Sequence, residues 1–231
     1  MLHFHLAGIN NQNFIMRDEE TGSWWQQVTG EAILGPLKGK HLKPVFHDEL
    51  TFVTWKAEEP NGRVLRPNEQ IAESGKYAPM NWEEQMQRVR VATLLNDQSL
   101  DKRELVIGIK IGDAAKAYPF KALQKQNPII DTVGGEPIMI VLSEDGRSVR
   151  AFKRRIENVA ENQGIEFFLR PNSSPLRLVD SPSGSEWDFT GTAIAGPYAG
   201  RQLQKITALE DYWFDWKTYN PNTAVYTLGE R

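Results

Sequence analysis

The stretch that decides the fold is TGEAILGPLKGKHL, residues 29–42, because it returns almost unchanged as TGTAIAGPYAGRQL, residues 190–203. Eight of the fourteen positions are identical, whereas ordinary residue frequencies would give about one match by chance. The shared glycines and prolines indicate a shared turn, and the shared Ala-Ile pair indicates a shared strand. The chain therefore contains an internal duplication.

The match extends in both directions from this stretch. An offset of 161 residues continues downstream without a gap, and an offset of 162 applies upstream. The paired positions include Asp18/Asp180, Ser23/Ser185, Trp25/Trp187, Phe52/Trp213, Trp55/Trp216 and Pro60/Pro221. A duplicated core explains tryptophans that recur at equivalent positions, so Trp25, Trp55, Trp187 and Trp216 are predicted to be buried.

Each copy is predicted to be an antiparallel meander followed by a short helix and a last strand. Proline cannot donate to a strand ladder, so Gly35-Pro36 predicts a tight loop between strands at Ala32–Leu34 and Lys40–Val45. Phe52 and Trp55 are three residues apart, which is typical of a short amphipathic helix. The sequences RVL, residues 63–65, and AVY, residues 224–226, are predicted to close the two copies as strands.

The middle of the chain predicts two further hairpins. A two-residue turn at Gly112-Asp113 follows an apolar strand, and Asp145-Gly146 separates two more strands. Pro119 suits the start of a short helix, and Asn81 with Glu84 three residues later has the spacing of a capping box. The predicted fold class is therefore β-rich α+β, internally duplicated, with a meander and a short amphipathic helix as its unit.

Three segments are predicted. Residues 1–66 form an incomplete first copy, residues 67–103 a linker with a helix, and residues 104–231 the second copy with its preceding hairpins. One continuous domain is the alternative. Nothing before Met1 corresponds to the hairpins that precede the second copy, so the chain is expected to be either a shortened relative or a fragment.

Composition excludes several classes of function. A net charge of −3 provides no cationic field for nucleic acid. The absence of cysteine removes disulfides and thiolate chemistry. No run reaches the roughly 18 apolar residues of a membrane span, and the N-terminus lacks a signal peptide. The chain as written is expected in the cytoplasm, and an N-terminal extension with an export signal would place it outside.

Four separated motifs carry a family resemblance. They are RDEETGSWWQQVTGEAILGPLKG, VIGIKIGDAAKAYPF, DTVGGEPIMIV and YWFDWKTYNPNTAVY, and together they resemble the bacterial and archaeal proteins of the DUF3179 family, which is named for its unknown function. The resemblance covers essentially the whole chain. It implies a fold built on the repeated unit and implies no established reaction.

The chain departs from that family at one motif. Many members have a Cys-Pro-x-Cys motif after DTVGG and a Trp-His pair before it. Here the two cysteine positions hold Ser143 and Gly146, and the histidine position falls near Gln126. Such residues cannot act as thiolate or imidazole ligands, so no metal or thiol role is carried over. The four histidines lack carboxylates at a metal-binding spacing, and no cofactor is predicted.

Three residues are predicted to bind a ligand. Trp24 is Glu186 in the second copy, so its ring is a candidate for an exposed, functional indole. Asn11 matches a family asparagine in a loop, and Asp131 begins DTVGG, for which a tight turn with an aspartate cap is the alternative interpretation. Carboxylates that could instead form an acid/base pair are Asp18, Glu19 and Glu31.

Two functions remain open at this point. The first is a non-enzymatic or accessory module that binds a small molecule or a protein in a groove between the copies. The second is a hydrolase-like enzyme that uses carboxylates in the same groove. A weaker third idea is a subunit that stacks on a partner through an open sheet edge. The sequence does not decide whether the protein is an enzyme.

Overall fold

A computed structural model describes residues 1–10, 13–66, 68–70, 79, 81–91, 93, 96–156 and 164–229, without the side chains at 83 and 87. The predicted β-rich α+β class is confirmed, because the described residues form four four-stranded sheets and a few short helices. The duplication remains an interpretation, and the contacts described below support it.

Strands and short helices follow one another along the chain. The strands are β1 Phe4–Asn10, β2 Asn13–Asp18, β3 Trp24–Gln26, β4 Ala32–Leu34, β5 Leu105–Ile111, β6 Ala114–Pro119, β7 Ile129–Val133, β8 Glu136–Leu142, β9 Val149–Lys153, β10 Phe167–Leu169, β11 Leu178–Asp180, β12 Glu186–Trp187, β13 Ala193–Ala195, β14 Lys205–Ile206, β15 Leu209–Tyr212 and β16 Ala224–Val225. The helices are α1 Phe52–Glu58, α2 Trp82–Arg88, α3 Phe120–Lys125 and α4 Trp213–Tyr219.

Each copy contributes one meander, and two further sheets lie in the second copy. The meanders have the strand orders β1-β2-β3-β4 and β10-β11-β12-β13. The other sheets have the orders β14-β9-β8-β7 and β15-β5-β6-β16. The predicted hairpins at Gly112-Asp113 and Asp145-Gly146 are confirmed, because β5 pairs with β6 and β8 with β9 in antiparallel register.

Strand β8 lies between two cores, which explains its unbroken apolar sequence. Ile138 and Ile140 point into one cluster, which also contains Ile107 of β5. Met139 and Val141 point into the other cluster, which contains the apolar face of the second meander. Successive side chains of a strand point to opposite faces, so a strand covered on both sides must be apolar throughout.

Helix α4 packs on the outer face of the β5–β6 sheet. Trp213 and Trp216 form a third apolar cluster with Val106 and Ala117. Gly108 in the middle of β5 permits this contact, because a Cβ atom at that position would lie 2.2 Å from the Trp216 ring. A glycine inside a strand therefore marks the close approach of an indole.

Within each meander, the same hydrogen bonds join residues at equivalent positions. The Trp25 indole N–H donates to Asp18 Oδ2 at 2.7 Å, and the Trp187 indole N–H donates to Asp180 Oδ2 at 2.8 Å. All four side chains are buried. Thr21 and Ser183 donate hydroxyl hydrogen bonds to the same carboxylates. Equivalent residues thus have equivalent partners, as a duplication requires.

Two strands predicted in the first copy are absent. Residues 40–45 contain only an isolated bridge at His41, and residues 63–65 are not in a strand. The second copy provides the physical reason, since β14 pairs with β9 and β16 pairs with β6. A strand requires a neighbour, and among the described residues the first copy has no sheet beside its corresponding segments.

The prediction of four buried tryptophans is correct for three of them. Trp25, Trp187 and Trp216 are buried, whereas Trp55 is half-buried on a helix with no buried residue. Helix α2 begins after Asn81, but the Asn81 side chain makes no capping hydrogen bond to the backbone. Pro119 precedes α3 as predicted.

The loop glycines of the second copy provide a matched test of this packing. Gly196 and Gly200 both have positive φ, at 88° and 84°. A Cβ atom at Gly196 would lie 2.7 Å from Ser185 Cα, whereas nothing lies within 4 Å at Gly200. We expect Gly200→Ala to cost about 1 kcal/mol and Gly196→Ala to cost about 2–3 kcal/mol more. Urea unfolding of both variants measures the difference, and equal losses would contradict the backbone contact.

Candidate functional site

Two neighbouring aspartates, the half-buried Asp211 and the buried Asp215, form an acid pair at the junction of β15 and α4. The carboxyl groups of Asp211 and Asp215 lie close enough for each to shift the pKa of the other. Burial, followed by repulsion from Asp215, raises the pKa of Asp211 from 3.8 to about 8, and burial also raises the pKa of Asp215. Two carboxylates that share a dry site cannot both ionise near neutral pH, so the pair holds one proton.

The first copy touches this pair directly. The Asn13 side-chain amide, at the start of β2, donates a hydrogen bond to Asp215 Oδ1. Asn13 and Gln26 of the same sheet also lie beside the Tyr219 hydroxyl. Burial raises the pKa of Tyr219, and the charge of Asp215 raises it further. The acid pair therefore lies where the two copies meet, in a setting that disfavours additional negative charge.

Asp211 lines a surface cavity of about 730 Å³, which adjoins a smaller one of about 310 Å³. Glu49, Arg147 and Glu210 line both cavities. We call this combined space the inter-copy groove. Glu49 comes from the first copy, whereas β15 and the β8–β9 turn come from the second. Burial raises the pKa of Glu49, although His47, 3.6 Å away, lowers it.

Cationic and aromatic side chains complete the groove wall. Arg103 stacks over the Tyr212 ring at 5.4 Å. Lys121 contributes an ammonium group that pairs with Glu104 at 2.8 Å, and the half-exposed Trp82 lines the same cavity. Guanidinium and ammonium groups donate hydrogen bonds and accept none, so the wall is rich in donors.

Asp131 lies at a different cavity, of about 560 Å³, next to the buried Arg154. The Asp131 carboxylate accepts hydrogen bonds from Tyr118 and from the Thr132 backbone, and pairs with Lys116 at 2.9 Å. The Arg154 guanidinium donates to the carbonyls of Ile138 and Ile165. Burial lowers its pKa, opposed by the charges of Glu166 and Asp131.

The other residues predicted from sequence do not gather at the inter-copy groove. Trp24 is half-buried in β3, opposite Arg17 and Leu34, and its binding role stays a prediction. Asn11 lies outside the described residues. The predicted DTVGG turn is present as the β7–β8 connection, with positive φ at Gly134 and Gly135, although Asp131 itself lies within β7.

The acid/base candidates in the first copy have structural partners. Burial raises the pKa of Asp18, but hydrogen bonds from Trp25 and Thr21 outweigh it and lower the pKa to about 2. Such a carboxylate is ionised and saturated with donors at neutral pH. Glu19 is exposed near His5, and Glu31 forms an isolated bridge with His41. No group of three or more His, Asp or Glu residues suited to a metal ion occurs in the described part of the chain.

Sequence reasoning missed Asp211 and Asp215, yet the repeat contains a signal for them. With the offset of 161, their equivalents are Leu50 and Thr54. Two carboxylates therefore replace an apolar and a neutral side chain on an element that otherwise keeps the tryptophan shared by Trp55 and Trp216. A charge gained at a buried position of one copy is the pattern that identifies this pair.

Comparisons with known proteins give a family and no activity. A family model described as "Protein of unknown function (DUF3179)" matches residues 3–223. Neither the curated proteins nor the solved structures contain a match to the chain. Within the described residues, no helix is long and apolar enough to cross a membrane.

The acid pair makes stability depend on pH. The folded protein keeps the Asp211 proton up to about pH 8, whereas the unfolded chain releases it near pH 3.8. The stabilisation is thus complete below the lower value and is lost as the pH rises through the upper one. Each pKa unit corresponds to about 1.4 kcal/mol, so we expect the free energy of unfolding to fall by a few kcal/mol across this range.

Asp211→Asn should flatten this dependence, because the amide cannot ionise. Urea unfolding between about pH 5 and pH 8 measures the slope. Glu144→Gln, which removes an exposed carboxylate, serves as the control and should keep the wild-type slope. Parallel curves for Asp211→Asn and the wild type would contradict a raised pKa.

Proposed function

We propose a function from the geometry and electrostatics of the groove, because the chain belongs to the DUF3179 family, whose description states no activity. The inter-copy groove binds a small anionic molecule and hydrolyses it by general acid/base catalysis. Two features support this proposal: burial raises the pKa of Asp211 to about 8, and Asp211 lies in the wall of a cavity that Arg103, Lys121 and Arg147 also line. Strongly raised carboxyl pKa values in clefts are characteristic of functional sites.

The groove favours a substrate that is rich in oxygen acceptors. Arg103, Lys121 and Arg147 line the cavity with groups that can donate hydrogen bonds, and a neutral Asp211 carboxyl adds a further donor. A guanidinium group matches the geometry of carboxylate and phosphate oxygens. Carboxylic and phosphoric esters are therefore the substrate classes that the groove fits best.

Two of the three carboxyl groups that line the cavity, those of Asp211 and Glu49, have complementary roles. Asp211 is the general acid, which protonates the leaving oxygen as the ester bond breaks. Glu49 is the general base, which accepts a proton from the attacking water, and burial raises its pKa above its usual value. Asp215 is a positioning residue, since it is buried behind Asp211 and keeps the shared proton in place. Such pairs contribute about 10²–10⁴-fold to rate.

A panel of chromogenic carboxylic and phosphate esters tests the proposal. We expect turnover by the wild type, a loss of about 10²–10⁴-fold in kcat/KM for Asp211→Asn and Glu49→Gln, and no change for Glu144→Gln. Asp215→Asn should move the alkaline limb of the pH–rate profile to lower pH, because Asp211, the general acid, would lose the neighbouring charge that raises its pKa. Absence of turnover across the panel, or equal activity of Asp211→Asn and wild type, would contradict the proposed hydrolase activity.

The cavity at Asp131 favours a second candidate function, namely ligand binding without turnover. Arg154 is 7% exposed and makes its described hydrogen bonds to backbone carbonyls, so its charge is not directly balanced by a carboxylate in the described residues. A ligand carboxylate would supply that balance, and Glu166 at the same cavity would suit a ligand amine. An amino acid or short peptide has both groups.

Calorimetric titration with free amino acids and dipeptides tests this second candidate. Arg154→Met should abolish the heat of binding while Arg177→Met, a matched change outside this cavity, should leave it unchanged. Binding that survives Arg154→Met would contradict the assignment of this cavity.

A further inference from the structure

The first copy exposes apolar side chains whose equivalents in the second copy are buried. Phe4, which pairs with Asp18, is 38% exposed, whereas Phe167, which pairs with the equivalent Asp180, is 1% exposed. Leu42 is 41% exposed, and its equivalent Leu203 is 1% exposed. Leu6 is 55% exposed, and its register equivalent Leu169 packs partly against a core. We call Phe4, Leu6, Met16 and Leu42 the first-copy face.

The framework behind this face is the same in both copies. Phe4 meets the Trp25 ring edge-on, with ring centroids 6.0 Å apart, and Phe167 meets Trp187 edge-on at 5.7 Å. The Leu42 N–H donates to the Gly30 carbonyl at 2.9 Å, as the Leu203 N–H does to Gly191. The difference in exposure therefore does not come from a different local fold.

The second copy shows what covers the equivalent face. Phe167, Leu178, Trp187 and Leu203 share one apolar cluster with Met139 and Val141 of β8 and Phe152 of β9. The fit is close, because a Cβ atom at Gly191 would lie 2.4 Å from the Phe152 ring. The first copy retains a glycine, Gly30, at this position. A Cβ atom there would lie 3.5 Å from the Cβ of Leu42, its hydrogen-bonding partner in the same meander.

We infer that the first-copy face is a docking surface for a partner polypeptide that presents a β-sheet like that of β7–β9. The occupant carries a face of Met, Val and Phe side chains, because those residues cover the same framework in the second copy. Gly30 admits its aromatic ring, as Gly191 admits Phe152. The apolar side chains that remain exposed on the first copy are the ones this sheet would bury.

The inference is tested with a variant to which a duplicate of the sheet that covers the second copy has been added before the first copy. A duplicate of residues 104–165 is joined to the N-terminal side of residue 3, and the chain from residue 3 onward is retained. This arrangement reproduces the order in which the covering sheet precedes the meander of the second copy. The protein has no cysteine, so single thiols report exposure cleanly. We expect thiol labelling of Leu42→Cys to slow more than tenfold in the extended chain relative to the full chain alone.

Leu34→Cys is the matched control, because Leu34 is 55% exposed and its equivalent Ala195 is also exposed. Its labelling rate should not change. An extension in which the added segment carries Met139→Asp and Phe152→Asp should restore rapid labelling of Leu42→Cys. This variant separates apolar docking from mere tethering of a bulky segment.

Three outcomes would overturn the inference. The first is an unchanged labelling rate of Leu42→Cys in an extended chain whose added segment is shown by hydrogen exchange to be folded. The second is an added segment that gains no amide protection, since a docking face would stabilise it. The third is a full chain that sediments as a dimer with Leu42→Cys already protected, which would make a second copy the occupant.

Discussion

Each meander depends on a buried aspartate that an indole N–H holds in place. Burying a carboxylate is costly unless hydrogen bonds replace its lost hydration, and here they do so. Asp180 accepts hydrogen bonds from Trp187, from the Ser183 hydroxyl and from the Ser183 backbone. The same arrangement around Asp18 lowers its pKa despite burial. The aspartate thereby fixes the turn, the position of the central tryptophan and the path of the next strand, and the rest of each copy is built outward from that centre.

The sequence predicts those parts of the fold whose causes are local. Gly112-Asp113 and Asp145-Gly146 set their hairpins because a two-residue turn and alternating apolar side chains are encoded within a dozen residues. The prediction of strands at residues 40–45 and 63–65 was wrong, because strand formation there depends on pairing with residues distant in the sequence. Their equivalents in the second copy acquire strand geometry by pairing with β9 and β6. Sequence similarity cannot show that, among the described residues, the first copy has no strand beside these segments. The half-buried Trp55 has the same origin, because Trp216 is covered by Val106 and Ala117.

The candidate site was harder to predict, since its chemistry depends on burial. A carboxylate is ordinary at the surface and becomes a proton donor at neutral pH only when desolvated beside another carboxylate. Asp211 and Asp215 are four residues apart in a segment that predicts an amphipathic helix, and nothing in that spacing reveals that β5, Asn13 and Glu49 surround them. Comparison of the copies is informative where the sequence of either copy alone is not, because Leu50 and Thr54 show that the framework does not need acidic groups at these positions.

The acid pair could be maintained only in the second copy. A buried carboxyl pair opposes folding near neutral pH, so the element that carries it must be held by other contacts. Helix α4 has such contacts, because Trp213 and Trp216 are buried against the β5–β6 sheet. Helix α1 has no buried residue and is attached through polar contacts, such as Thr51 with Asp145 and Glu58 with Arg150. Acid groups at Leu50 and Thr54 would therefore face solvent or detach the helix. The copy with the complete core is thus the one in which a desolvated carboxyl pair can persist.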